Sequence, residues 1–174
     1  FERGENFFVN LTSPANATLG DAQGVVTIRD DGTVYTLTPV LTVSNPTVVG
    51  GLNRHAVFNV SLSKASPVDT PLTLALTAGT ATTPADYTGT TVEYSTNGGA
   101  SWTAYGANVT LVAGMTSLLV RTPVANDSNS EGIEAFTLTA TRTAGLTTAA
   151  SAVGTATIVD DEAKPILTIS DAPP

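Results

Sequence analysis

Residues 155–162 read TATIVDDE, and residues 26–31, far upstream, read VTIRDD. In each, small, apolar and β-branched residues give way to carboxylates: Asp160, Asp161 and Glu162 in the first, Asp30 and Asp31 in the second. Apolar residues recurring at every second position mark a half-buried strand. Like charges gathered where such a strand ends repel one another, so a sequence that does this twice calls for a physical reason.

The doubling is part of a longer repeat. ERGENFFVNLT at 2–12 aligns without a gap on EGIEAFTLTAT at 131–141, and VTIRDDG at 26–32 aligns on ATIVDDE at 156–162. PVLTVSNP at 39–46 aligns on PILTISDAP at 165–173 with one extra residue. The three offsets are 129, 130 and 126 residues, which is the signature of a tandem module rather than of chance similarity. The expected organisation is the last strands of one module in 1–33, a linker at 34–38 and a complete module at 39–162. A linker and the first strand of a third module would follow at 163–174.

Within the complete module the period is two throughout. FNVSLS places Phe58, Val60 and Leu62 on one face, PLTLALT does the same with Leu72, Leu74 and Leu76, and AFTLTAT with Phe136, Leu138 and Ala140. Leu118 with Val120, and Ala152 with Ala156 and Ile158, complete the set, while KASPVDTP, TTPADYTG and NGGAS supply turn chemistry between them. The expectation is an all-β chain whose complete module is a seven-strand antiparallel, immunoglobulin-like β-sandwich.

Composition narrows the function. Seven Lys and Arg stand against fifteen Asp and Glu, a formal net charge of −8, which disfavours nucleic acid and anionic membrane surfaces as partners. The charged fraction is only 13%, so this is not an acidic disordered tail. There is no cysteine, hence no disulfide and no thiolate ligand. No apolar run reaches the length of a membrane span.

Three acidic stretches of the complete module are candidate ligands: Asp86 in PADYTG, Asp127, Glu131 and Glu134 in NDSNSEGIE, and Asp160, Asp161 and Glu162. None contains a basic residue. Two carboxylates 4 Å apart repel by about 1 kcal/mol in water and several times more near a protein surface. A divalent cation turns that repulsion into attraction, and Ca2+, which takes about 6–8 oxygen ligands in irregular geometry, suits loops converging at one end of a sandwich.

The same residues carry a family resemblance. A DY turn, then NDxxxEGxExFxL, then a strand ending xTIxDDE, resembles the Calx-β domain over roughly residues 39–162 and again over 1–32. Such domains occur in sodium–calcium exchangers, in an integrin subunit and in long bacterial surface proteins. The resemblance implies a calcium-binding sandwich with Asp86, Asp127, Glu131, Asp160, Asp161 and Glu162 as ligands. Glu134 lies within the motif and is less clearly a ligand. A partial second set, Glu2, Asp30 and Asp31, belongs to the preceding module. VVGGLNRH lacks the Glu that the family often carries between its first strands, and Asn126 replaces an Asp, which implies fewer ions or weaker binding.

The chain is accordingly expected to be a non-enzymatic spacer of a long secreted or cell-surface, adhesin-like protein, with Ca2+ stiffening the module and its joints. Its partners would be neighbouring modules, with a glycan or surface ligand elsewhere, and no nucleic acid or membrane insertion. Two alternatives rest on other features. Orphan strands at both ends suggest an extracellular filament subunit joined by strand addition. Trp102, in a hairpin reading YSTNGGASWTAY, suggests carbohydrate stacking. His55 is the only histidine, and no nucleophile elbow or phosphate loop occurs.

Overall fold

The computed structural model describes residues 5–28, 38–52 and 54–170; Glu2, Asp30 and Asp31 lie outside them. The chain divides into two compact units, Phe1–Thr38 and Pro39–Pro174. In the first, β1 (Glu5–Asn10) and β2 (Gln23–Ile28) form an antiparallel hairpin.

The second unit is a sandwich of two five-stranded sheets. One has the order β3 (Leu41–Val43), β5 (His55–Leu62), β10 (Ser117–Pro123), β7 (Glu93–Ser95), β8 (Thr103–Ala104). The other runs β4 (Thr47–Val49), β12 (Ser151–Val159), β11 (Glu134–Arg142), β6 (Thr70–Ala78), β9 (Val109–Leu111). No helix occurs among the described residues. The alternation read from sequence is the core pattern: Phe58, Val60, Leu118 and Val120 face Leu72, Phe136, Leu138 and Ala156 across the sandwich, all nearly or fully buried.

Two features depart from the expected seven antiparallel strands. The sandwich has ten segments, because short pieces such as β9 complete the edges and the first strand is divided between the sheets. Asn45–Pro46 breaks that first strand: β3 pairs antiparallel with β5, whereas β4 pairs in parallel with β12, Thr47 opposite Thr157 and Val49 opposite Val159. Asn45 helps to make the crossing, since its Oδ1 accepts the Thr155 N–H at 2.7 Å while the Pro46 carbonyl accepts that of Thr157.

The crossing strand passes so close to β12 that only glycine fits beneath it. A Cβ on Gly154 would collide with the Ser44 carbonyl and the Val43 side chain. Backbone cannot move aside as a flexible side chain can, so Gly154→Ala is expected to destabilise the unit by about 1–3 kcal/mol, measured by chemical denaturation.

Register also fixes which strand ends meet. Glu134 opens β11 opposite Ile158, near the end of β12, while Pro123 closes β10 opposite His55, the start of β5. Tyr87 bridges to Val124 at the same end. Pro39, by contrast, lies at the other pole, where its carbonyl accepts the Thr148 N–H and Val40 accepts from Ser63. The chain enters the unit at one pole and its last strand ends at the opposite one. Residues 163–170, aligned on the first strand, form no strand here, and Ile166, Leu167 and Ile169 are exposed.

Candidate metal centre

At the pole where β12 ends, the inward faces of the strands continue beyond the last apolar residue as polar groups. On β11 the alternation runs Leu138, Phe136, Glu134; on β12 it runs Ala156, Ile158, Asp160; after β10 it runs Val124, Asn126. A cavity of about 30 Å³ sits there, lined by Asp86, Asp127, Glu131, Glu134, Asp160, Asp161 and Glu162 together with Asn126 and Gly50. The structure thus brings together all six residues named for the complete module, although they span 77 positions of sequence.

Three of the carboxylates are placed by identifiable hydrogen bonds. Asp86, only 8% exposed, is held by its neighbour: the Tyr87 ring stacks on Phe136 at 4.0 Å, which fixes the turn in the core. Asp86 Oδ2 accepts the Thr82 N–H at 2.6 Å and its hydroxyl at 3.1 Å, and the Asp86 carbonyl accepts from Ala125, tying the turn to the second acidic stretch. Asp127 Oδ1 accepts the Asn129 N–H at 2.7 Å. Asp160 Oδ2 accepts the Glu131 N–H at 2.8 Å, joining the second stretch to the third.

Two findings revise the sequence reading. Glu134 is a full member of the cluster: oxygens of Asp86, Glu131 and Glu134 lie within 4.8 Å of one another, as do those of Asp160, Asp161 and Glu162. The signal was available, since a period of two puts Glu134 on the same face as Phe136. The Gly50-Gly51 pair, read from sequence as a lost ligand, has a steric role. A Cβ on Gly50 would sit 2.7 Å from Asp161 Oδ1, and Gly51, at φ +116°, would place one 3.2 Å from Asp161 Oδ2. The glycines leave room for the Asp161 carboxylate.

Among the described residues the one ion pair is Arg121 with Glu93, neither of which lines this cavity, so no Lys or Arg is paired with the cluster. Its electrostatics follow. Partial desolvation and then the charges of Asp127, Asp86 and Asp160 hold Glu131 above its ordinary range. Glu134 is raised by desolvation and by Asp86, with which it shares a hydrogen bond. Asp160 is lowered, first by the Glu131 N–H. Glu162 is pushed up to about 7, chiefly because its proton is shared with Asp160. Without a cation Glu162 therefore keeps part of its proton near neutrality.

The donor set is oxygen only: seven carboxylates and the Asn126 amide, with no imidazole or thiolate. That chemistry fits a hard cation, and a cage built from loops fits Ca2+ better than Mg2+, which demands near-ideal octahedral geometry.

Trp102 is differently placed. The Arg121 guanidinium lies 4.1 Å over its ring while Arg121 Nε donates to Glu93 at 2.7 Å, so one face of the indole is covered by protein. Its hairpin is closed by Ser95, Asn97 and Ser101, with Asn97 Oδ1 accepting from Ser101 N–H at 3.0 Å.

No protein-family model matches the chain, and no curated protein matches it in sequence. Solved structures do. CBD12 from CALX1.2 aligns at TM-score 0.52 and 16% identity over 70% of this chain and 46% of that one. The calcium binding domain CBD12 of CALX1.1 aligns at 0.51 and 15%, covering 70% and 44%. The apo-form Calx CBD1 domain aligns at 0.51 and 15%, covering 71% of this chain and 99% of its own. The chain therefore spans less than half of the CBD12 structures and essentially the whole of CBD1. At such identities the likeness is one of fold. The sandwich of this chain has the Calx-β fold.

Proposed function

We propose that the complete module is a calcium-binding structural unit, a spacer of a longer repetitive protein outside the cell. One observation carries this reading: seven carboxylates from three separate stretches line one small cavity with no cation-bearing side chain paired to them. Glu134 and Asp160 would hold the ion from the inner faces of β11 and β12, with Asp86, Asp127, Glu131, Asp161 and Glu162 closing it from the turn and loops. A bound cation supplies the positive charge that the strand ends lack. The protein's own residues do the rest: the Asp86 turn, the 126–134 loop and the exit of β12 are drawn to one point.

The calcium binding domain CBD12 of CALX1.1 shares this fold, which supports the reading. Calcium outside cells is plentiful, and extracellular modules bind it at about 0.1–1 mM. Because β12 ends at this pole, the ion would also order the start of the connection to whatever follows, at Lys164-Pro165. Such a unit is structural and not catalytic.

Titration calorimetry with CaCl2 on the 174-residue chain is the direct test. The expected result is saturable binding, with MgCl2 much weaker; no heat and no competition between the two ions would overturn the assignment. Binding should also be linked to protons. Glu162 has its folded value raised to about 7 and must lose its proton to serve as a ligand. Calcium affinity is therefore expected to fall by roughly tenfold between pH 8 and pH 6, through Glu162. Proton release, read from titrations in buffers of different ionisation enthalpy, checks it.

A further inference from the structure

The β1–β2 hairpin carries an apolar face that is left exposed. Its register repeats that of β11–β12 pair for pair. Glu5 opposes Ile28 as Glu134 opposes Ile158; Phe7 opposes Val26 as Phe136 opposes Ala156; Val9 opposes Gly24 as Leu138 opposes Gly154. The face of β11–β12 that carries Phe136, Leu138, Ala156 and Ile158 is core. The corresponding face of the hairpin is bare: Phe7 is 49% exposed where Phe136 is 0%, and Ile28 54% where Ile158 is 7%.

A glycine identifies what is missing. Gly154 is needed because the crossing from β3 to β4 passes over it. Gly24 occupies the same register position, and there a Cβ would meet nothing closer than the Val9 carbonyl at 3.9 Å. Nothing within the hairpin requires a glycine at that point, whereas a crossing strand would.

We propose that β1–β2 is the closing hairpin of a second sandwich, and that the partner it fits is a copy of the β3–β10 segment, residues 39–130, in the same polypeptide. Such an acceptor offers the hairpin what β11–β12 receives: a facing sheet with Phe58 and Tyr87 against the leading aromatic, a β6 edge beside β1, and a parallel β4 edge beside β2. Two hairpins packed face to face would not suffice. Each face is about 20 Å long and two strands wide, on the order of 200 Å², against roughly 800 Å² per partner in a stable interface. An isolated two-stranded hairpin is itself marginal in water.

The test lengthens the chain. A copy of residues 39–130 is fused directly before Glu2, so that Ser130–Glu2 reproduces the Ser130–Glu131 junction. Hydrogen exchange is followed by mass spectrometry, in calcium and in chelator, which keeps the result independent of the metal reading. The expected outcome is that residues 5–28 become protected at least about a thousandfold relative to the 174-residue chain, approaching β11–β12. Phe7→Ala should then lose protection in the hairpin and the fused copy while leaving residues 39–174 unchanged. The proposal is overturned if the hairpin exchanges as freely as in the parent chain and the fused copy remains unprotected. It is equally overturned if both gain protection that Phe7→Ala does not weaken.

Discussion

Calcium at about 100 times its dissociation constant is expected to raise the unfolding free energy of the Pro39–Pro174 unit by about 2.7 kcal/mol for each ion bound. Against the ~5–15 kcal/mol typical of a domain, that is a large share of total stability. For a unit of this size it corresponds to an upward shift in melting temperature of several degrees or more. The informative variant is Asp161→Asn. Asp161 makes no hydrogen bond among the described residues, and its carboxylate rests against Gly50 and Gly51, so the amide keeps the shape and removes only charge. In chelator the variant should melt at or slightly above the parent, because one source of repulsion is gone; in calcium it should melt below it. Scanning calorimetry of both proteins in both conditions reads the crossover. Parallel shifts in the two conditions, or no response of the parent to calcium, would reduce the cluster to solvated turns.

Phe136→Ala is expected to cost about 3–5 kcal/mol. Phe136 is fully buried, stacked on Tyr87 at 4.0 Å with an interplanar angle of 9° and edge-on to Phe58 at 5.9 Å. The variant loses the transfer free energy of the ring, leaves a cavity between two sheets that cannot collapse independently, and frees the turn that sets Asp86. The second consequence separates this site from an ordinary core position: calcium affinity should fall along with stability. Denaturant titration gives the first quantity and calorimetry at low temperature, where the variant remains folded, gives the second. A loss of stability with unaltered calcium affinity would detach Tyr87 and Phe136 from the site.

Most of the sandwich could be read from the sequence because its information is local. Alternation in FNVSLS and AFTLTAT names the buried face without reference to any partner strand. The acidic residues were legible for a similar reason, being grouped at strand ends in short stretches. What escaped depends on contacts between distant segments. The division of the first strand turns on Asn45 and Pro46 meeting β12 more than a hundred residues later, and nothing local marks a three-residue parallel pair. The Gly50-Gly51 pair looked like a loss of charge because the carboxylate it accommodates, Asp161, lies at the other end of the module. Glu134, which the resemblance leaves less clearly a ligand, joins the cluster because the rule that places Phe136 inward places it inward as well.

The parallel pairing of β4 with β12 has a mechanical consequence. Pro39 lies at one pole and β12 ends at the other, so tension applied along the polypeptide draws these two strands past each other in opposite directions. The hydrogen bonds joining Thr47–Val49 to Thr157–Val159 lie across that direction and are loaded together, in shear, instead of being peeled open one by one. Asp160, Asp161 and Glu162 follow the clamped residues directly in sequence, so a cation held there grips β12 at the point where the pull arrives.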